Sequence, residues 1–208
     1  LFATVTLQLK KEFVAMKRAL AGVLAIALVG LMAAGATAQA PFFQVYFDDG
    51  SNGSYGETQS PCGQPGTQDA IYLVAHNWNM LVTAVDYQIF FPQALLYISD
   101  TYPDVPGGTL TIGNSKDGNA ISWGLPRNGF VPLLLTTIGV YWTDLCDCAA
   151  GPQAIVVGPY PESGNNSPTG VRWPDYTTYP AVGMTSLICP GPVATQESTW
   201  GGIKALYR

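Results

Sequence analysis

The dominant pattern in the chain is an alternation of apolar and polar residues with a period of two, recurring in short segments separated by Gly, Pro, Asn and Asp. Period two sends successive side chains to opposite faces of a strand, so the pattern predicts half-buried β-strands, and the short spacing of turn residues predicts a sandwich or jelly roll. Strands are expected at 42–47, 70–77, 82–91, 95–99, 109–112, 120–125, 133–142, 154–157, 170–173 and 182–189. In 82–91, Thr83, Val85, Tyr87, Ile89 and Phe91 share the face expected to meet the core, while Val82, Ala84, Asp86, Gln88 and Phe90 share the other. In 70–77, Ile71, Leu73 and Ala75 point one way and Tyr72, Val74 and His76 the other, with Trp78 beyond. If these two strands pair through the turn at 77–81, Tyr72, His76, Asp86 and Gln88 make one mixed aromatic and polar surface, a candidate ligand-binding face.

One stretch departs from this pattern. Residues 19–34 are almost continuously apolar, follow Met16-Lys17-Arg18 and close on Ala36-Thr37-Ala38. That is the layout of a bacterial secretory signal peptide over 16–38, with cleavage after Ala38. The run is slightly shorter than the ~20 residues a membrane-spanning helix needs, so no membrane span is expected after cleavage. Residues 1–15 precede the start methionine and are read as translated upstream sequence. The expected organisation is one antiparallel β-sandwich domain over 39–194 and a C-terminal tail over 195–208, where Gly201-Gly202 disfavours a helix.

Charge then narrows the partners. The whole chain carries a net −5; without Lys10, Lys11, Glu12, Lys17 and Arg18 the remainder stands at −8. Nucleic acid and anionic membranes need clustered Lys and Arg, so neither is expected as a partner. All four cysteines, Cys62, Cys146, Cys148 and Cys189, follow the leader, and an exported chain enters an oxidising compartment, so two disulfides are expected. A Cys146–Cys148 bond would close a strained ring. One of the pair is therefore expected to reach Cys62 and the other Cys189, in either arrangement. Zinc is disfavoured because the spacing lacks paired C-x-x-C knuckles.

Catalytic chemistry is hard to assemble from what remains. His76 is the sole histidine, no G-x-S-x-G occurs, and the thiols are expected to be oxidised. Beyond the leader, glutamates occur only at Glu57, Glu162 and Glu197, in expected loops or the tail. No pair of carboxylates stands out as a glycosidase pair, and the chain is not expected to be an enzyme. Asp48, Asp49 and Asn52 offer hard oxygens on a glycine-rich loop, a candidate structural calcium site. Asn114, Asp117 and Asn119 form a similar group around Gly118, but hairpin-turn chemistry explains both groups better. Trp173, Tyr176 and Tyr179 concentrate three rings in a loop. Exposed on one plane they would stack on a sugar; buried they would plug one end of the sandwich.

The stretch from Ile71-Tyr72-Leu73-Val74-Ala75-His76-Asn77 through Val85-Asp86-Tyr87-Gln88-Ile89 and Pro92 to Leu95-Leu96-Tyr97-Ile98 resembles the opening strands of cohesin-like and related carbohydrate-binding-type secreted sandwiches. The resemblance covers roughly thirty residues. It implies a non-catalytic module that binds a partner domain or a glycan at the cell surface. The ending 199–208, with Trp200 and Lys204, is similar to the Trp- and Lys-bearing tails of exported proteins from environmental bacteria, which implies either a sorting or anchoring signal or, equally, a frayed end. The combined expectation is a secreted or periplasmic β-sandwich binding or cell-envelope structural module, with a carbohydrate-binding module as the alternative.

Overall fold

In the computed structural model of the chain, the residues described are 39–190. The expected leader and tail lie outside them. The strands are Phe42–Tyr46 (β1), Gln59–Ser60 (β2), Gln68–His76 (β3), Leu81–Phe90 (β4), Leu95–Thr101 (β5), Thr109–Asn114 (β6), Gly118–Asn128 (β7), Leu133–Trp142 (β8), Gln153–Gly158 (β9), Thr169–Arg172 (β10), Thr178–Pro180 (β11), Val182–Gly183 (β12) and Thr185–Ile188 (β13). Every expected strand is present. The two-residue β2 and three-residue β11 are too short to show a periodicity.

The strands form two sheets. One runs β12-β1-β3-β8-β5 and the other β11-β10-β4-β9-β13-β2, with β7 paired to β4 and β6 to β7. Their inner faces enclose Phe43, Leu73, Tyr87, Ile121, Ile138 and Trp142 in one core, the two-layer arrangement that alternating strands demand. Val85, Tyr87 and Ile89 are buried as expected. The register of β4 against β7 slips between Val82 and Ala84, so Val82 rather than Thr83 turns into the core. An extra residue on one strand reverses the facing of everything beyond it, and periodicity does not reveal where it falls.

The expected pairing of 70–77 with 82–91 is overturned. β3 lies between β1 and β8 in one sheet, whereas β4 pairs with β7, β9 and β10 in the other. The connection crosses between layers: Asn77 and Asn79 both adopt left-handed φ, 58° and 50°, and Trp78 between them is buried. Asparagine tolerates that region better than most residues, so the pair carries a sharp change of direction. Tyr72 and His76 therefore lie on one sheet and Asp86 and Gln88 on the other, and the proposed joint surface does not form.

The expected strand at 182–189 also divides. Val182 and Gly183 pair in parallel with Phe42 and Phe43, while Thr185 to Ile188 pair antiparallel with β9. At the crossing, Met184 N–H donates to the Phe43 carbonyl (2.9 Å) and the Met184 carbonyl accepts from Val157 N–H (3.2 Å). A Cβ at Gly183 would overlap the Val157 carbonyl oxygen, so only glycine lets the strand pass so close to β9.

Inside this frame sits a polar hub. Asp100 accepts from Ser115 N–H (2.8 Å), Ser115 Oγ (2.6 Å), Tyr97 OH (3.0 Å) and Tyr102 OH (3.4 Å). The fully buried Tyr87 hydroxyl meets Ser115 Oγ at 3.1 Å, and the Asn119 amide donates to both Tyr87 OH (3.0 Å) and Tyr102 OH (2.8 Å). Burial beside the Asp100 charge pushes the Tyr97 phenol well above its usual pKa, and burial does the same to Tyr87. β5 in one sheet is thus tied to β4 and the β6–β7 hairpin of the other. Asp100→Ala leaves the buried Ser115 and the part-buried Tyr97 and Tyr102 without their shared acceptor and is expected to cost about 3 kcal/mol of unfolding free energy, with Asp100→Asn costing less. Urea unfolding with the disulfides intact is the measurement.

Candidate functional site

The outer face of the second sheet carries the most distinctive surface. Paired residues on neighbouring strands share a face, and the cross-strand registers give two rows. Leu110, Ser122, Ala84 and Val171 form one; Ile112, Ala120, Asp86 and Thr169 form the next. The small side chains of Ala84, Ala120 and Ser122 make a floor between Leu110 and Ile112 on one side and Val171 and Thr169 on the other. The result is a shallow hollow of about 160 Å³. Leu110 and Ile112 are 66% and 62% exposed.

β6 is inverted relative to ordinary amphipathic logic, with its threonines half-buried and its aliphatic residues facing water. Phe90 and Leu81, at the two ends of β4, and Leu125 on β7 are also exposed. Asp86 lies in the floor, its carboxylate accepting from Thr169 N–H at 3.0 Å. Gln88 donates to the Lys116 carbonyl at 2.9 Å. Two residues singled out from the sequence, Asp86 and Gln88, therefore do belong to a distinctive face, though not with the partners expected for them.

Tyr72 and His76 belong to the outer face of the first sheet. His76 stacks on Phe42, with ring centroids 4.7 Å apart and planes 11° from parallel, and its Nε2 lies 3.0 Å from Tyr46 OH. Tyr46 in turn packs on Tyr55 at 5.5 Å and stands opposite Tyr72 in the β1–β3 register. Burial holds the imidazole below its ordinary pKa because the cation loses hydration. The single histidine is a packed, hydrogen-bonded sheet residue. Sequence reasoning passed over Phe42 and Tyr46, although their parity in β1 places both on the face opposite Phe43 and Val45.

The loop aromatics follow neither expected arrangement. Trp173 is 39% and Tyr176 60% exposed, so they do not plug the sandwich. Their rings are 5.5 Å apart but 82° from parallel, so they offer no common plane. Tyr179 is half-buried beneath Arg172, whose guanidinium carbon lies 4.9 Å from the ring centroid. Arg172 also pairs with Asp175 and holds that carboxyl well below the usual carboxylate range. Trp173-Pro174 is a cis peptide.

The acidic loop uses its oxygens on its own backbone. Asp48 accepts from Gly56 N–H (3.1 Å), Asp49 from Ser51 N–H (2.8 Å) and Asn52 from Ser54 N–H (3.0 Å). Asn114 likewise accepts from the N–H groups of Lys116 (3.0 Å) and Asp117 (2.8 Å), as expected of a turn. Among the described residues, the one group of three potential metal-binding side chains of His, Cys, Asp or Glu is Cys62, Cys148 and Cys189, all in disulfides. The bonds are Cys62–Cys146 and Cys148–Cys189, closing separations of 84 and 41 residues. The arrangement left open by the sequence is thus decided.

No protein-family model matches the chain, and no curated protein matches it. Among solved structures, it is similar to cohesin domains. The third ScaB cohesin of R. flavefaciens, in complex with a group 1 dockerin, is 14% identical at a TM-score of 0.49, covering 74% of this chain and 98% of that one. The sixth cohesin of scaffoldin B from Acetivibrio cellulolyticus is 11% identical at 0.45, covering 74% and 100%. A non-cellulosomal cohesin from the archaeon Archaeoglobus fulgidus is 8% identical at 0.42, covering 76% and 95%. The resemblance noted in residues 71–98 names the same family. Identities and TM-scores of this size say nothing about which surface binds what.

The low pKa of His76 has a consequence for stability. As pH falls below the ordinary imidazole value of about 6.5, the unfolded chain takes up a proton before the folded one, so this contribution is full above that value and is lost towards the lower folded pKa. His76→Gln should therefore lose less thermal stability than the wild type between neutral pH and about pH 5, as read from melting curves of both proteins.

Proposed function

We propose that this chain is an extracytoplasmic, non-catalytic binding module that takes a protein partner on the outer face built by β6, β7, β4 and β10. The observation that carries the reading is the inversion of β6. Strand aliphatics normally face the core, and here Leu110 and Ile112 stand exposed beside a floor of small side chains on rigid, hydrogen-bonded strands. Burying such a surface against a partner removes apolar area from water at roughly 25 cal/mol per Å², with little ordering cost on the strand side. The hollow suits one or two apolar side chains of a partner helix or strand, with Asp86 at its floor to accept a hydrogen bond. The two disulfides support an oxidising compartment.

A glycan reading rests on the exposed Trp173 and Tyr176, and the same experiment separates the two. A photo-crosslinking residue placed at Ile112 in the host organism should trap a protein that one placed at Leu96, on the first sheet, does not. With that partner purified, the double variant Leu110→Glu, Ile112→Glu should weaken binding at least about tenfold, about 1.4 kcal/mol, while Trp173→Ala, Tyr176→Ala leaves it unchanged. Glycan-array binding abolished by the loop variant and retained by the β6 variant would overturn the proposal in favour of carbohydrate.

A further inference from the structure

The four cysteines lie closer together than two independent disulfides require. β13 pairs in parallel with β2, and Cys189 N–H donates to the Ser60 carbonyl at 2.8 Å, so Cys62 and Cys189, just past the ends of those strands, stand side by side. Cys146 and Cys148 arrive on the loop after β8, where Asp147 caps a short 3-10 turn by accepting from Ala149 N–H. Cys62 Sγ is thereby bonded to Cys146 Sγ, 3.2 Å from Cys189 Sγ and 3.5 Å from Cys148 Sγ. One sulfur touches all three others. Cys148 is exposed, and Cys189 is buried.

We infer that the four cysteines form a single thiol–disulfide exchange site that accepts electrons from dithiols, with Cys62 as its centre. A thiolate of the dithiol attacks the accessible Sγ of Cys148; the Cys148–Cys189 bond breaks, and Cys189 leaves with the electron pair as a thiolate. That thiolate is already next to Cys62 and attacks its Sγ. The Cys62–Cys189 bond forms, the Cys62–Cys146 bond breaks, and Cys146 leaves as a thiolate that takes a proton from water. The second sulfur of the dithiol then attacks its own mixed disulfide and releases Cys148, which is protonated in turn. Two electrons and two protons have passed from the dithiol to the protein, and the dithiol has become a disulfide. The product keeps β2 and β13 tied through Cys62–Cys189 and presents Cys146-Asp147-Cys148 as a free dithiol on the loop. Attack within the site needs no diffusion, so it outruns a second encounter with reductant.

The test treats the oxidised full chain with one equivalent of dithiothreitol, quenches with acid, blocks thiols with N-ethylmaleimide and maps the cysteines by mass spectrometry. The expected result is label on Cys146 and Cys148, with a Cys62–Cys189 crosslink. Label on Cys148 and Cys189 with Cys62–Cys146 intact, or any other labelled pair, overturns the inference. As a second measurement, the double variant Cys146→Ser, Cys148→Ser should oxidise to a protein with no titratable thiol. Two free thiols in that folded variant would equally overturn it.

Discussion

A single carboxylate ties one sheet to the hairpin of the other across the core. Apolar packing between sandwich layers is non-directional, so it favours contact without fixing which residue faces which. Asp100 supplies the direction. Its oxygens gather Tyr97 and Tyr102 from its own side and Ser115 from the opposite hairpin, and Ser115 in turn meets the hydroxyl of Tyr87 in the middle of the core. Such bonds are strong because one partner is charged and because leaving any member unpaired in a dry interior is costly. The hairpin held in this way is the one whose first strand displays Leu110 and Ile112, so the candidate binding face depends on the same hub.

Much of the fold is legible in the sequence because its signal is local. Alternation over five to ten residues marks a strand wherever it occurs, and the Gly, Asn and Pro clusters mark the ends. What the pattern does not carry is the identity of each strand's neighbour. Residues 70–77 and 82–91 read as a hairpin because they are adjacent and both alternate, yet the connection from β3 to β4, residues 77–80, holds two asparagines in left-handed conformations that take the chain across the core. A turn within one sheet and a crossing between sheets have the same composition here. The expected strand at 182–189 poses the same difficulty: one expected element serves both sheets, and its change of allegiance rests on the missing side chain of Gly183.

The candidate site was half legible for a related reason. Asp86 and Gln88 stand out in the sequence as polar residues on the outward parity of a strand, and they are outward. The pattern places Leu110 and Ile112 on a strand but not on a surface, because an aliphatic pair at i, i+2 reads by default as a core face. Their alternation with Thr109 and Thr111 carries no signal of the inversion, because an ordinary half-buried strand with its aliphatic residues inward shows the same pattern. The loop rings show the opposite error. Trp173, Tyr176 and Tyr179 are conspicuous in sequence, but three aromatic residues close in the chain need not share a plane, and the left-handed backbone at Tyr176 turns one ring edge-on to its neighbour.

The divided strand at the C-terminal end of the domain also has a mechanical meaning. β1 and β12 run in the same direction, so tension that draws the start of one away from the end of the other pulls along their ladder instead of across it. Hydrogen bonds loaded this way share the force and fail together, unlike the successive rupture of a hairpin peeled from its tip. Because the same segment continues into β13 and is bonded to β9, the two layers are stitched at the point where the strand changes sheets. Two layers closed in this manner resist sliding past one another along the direction of β1.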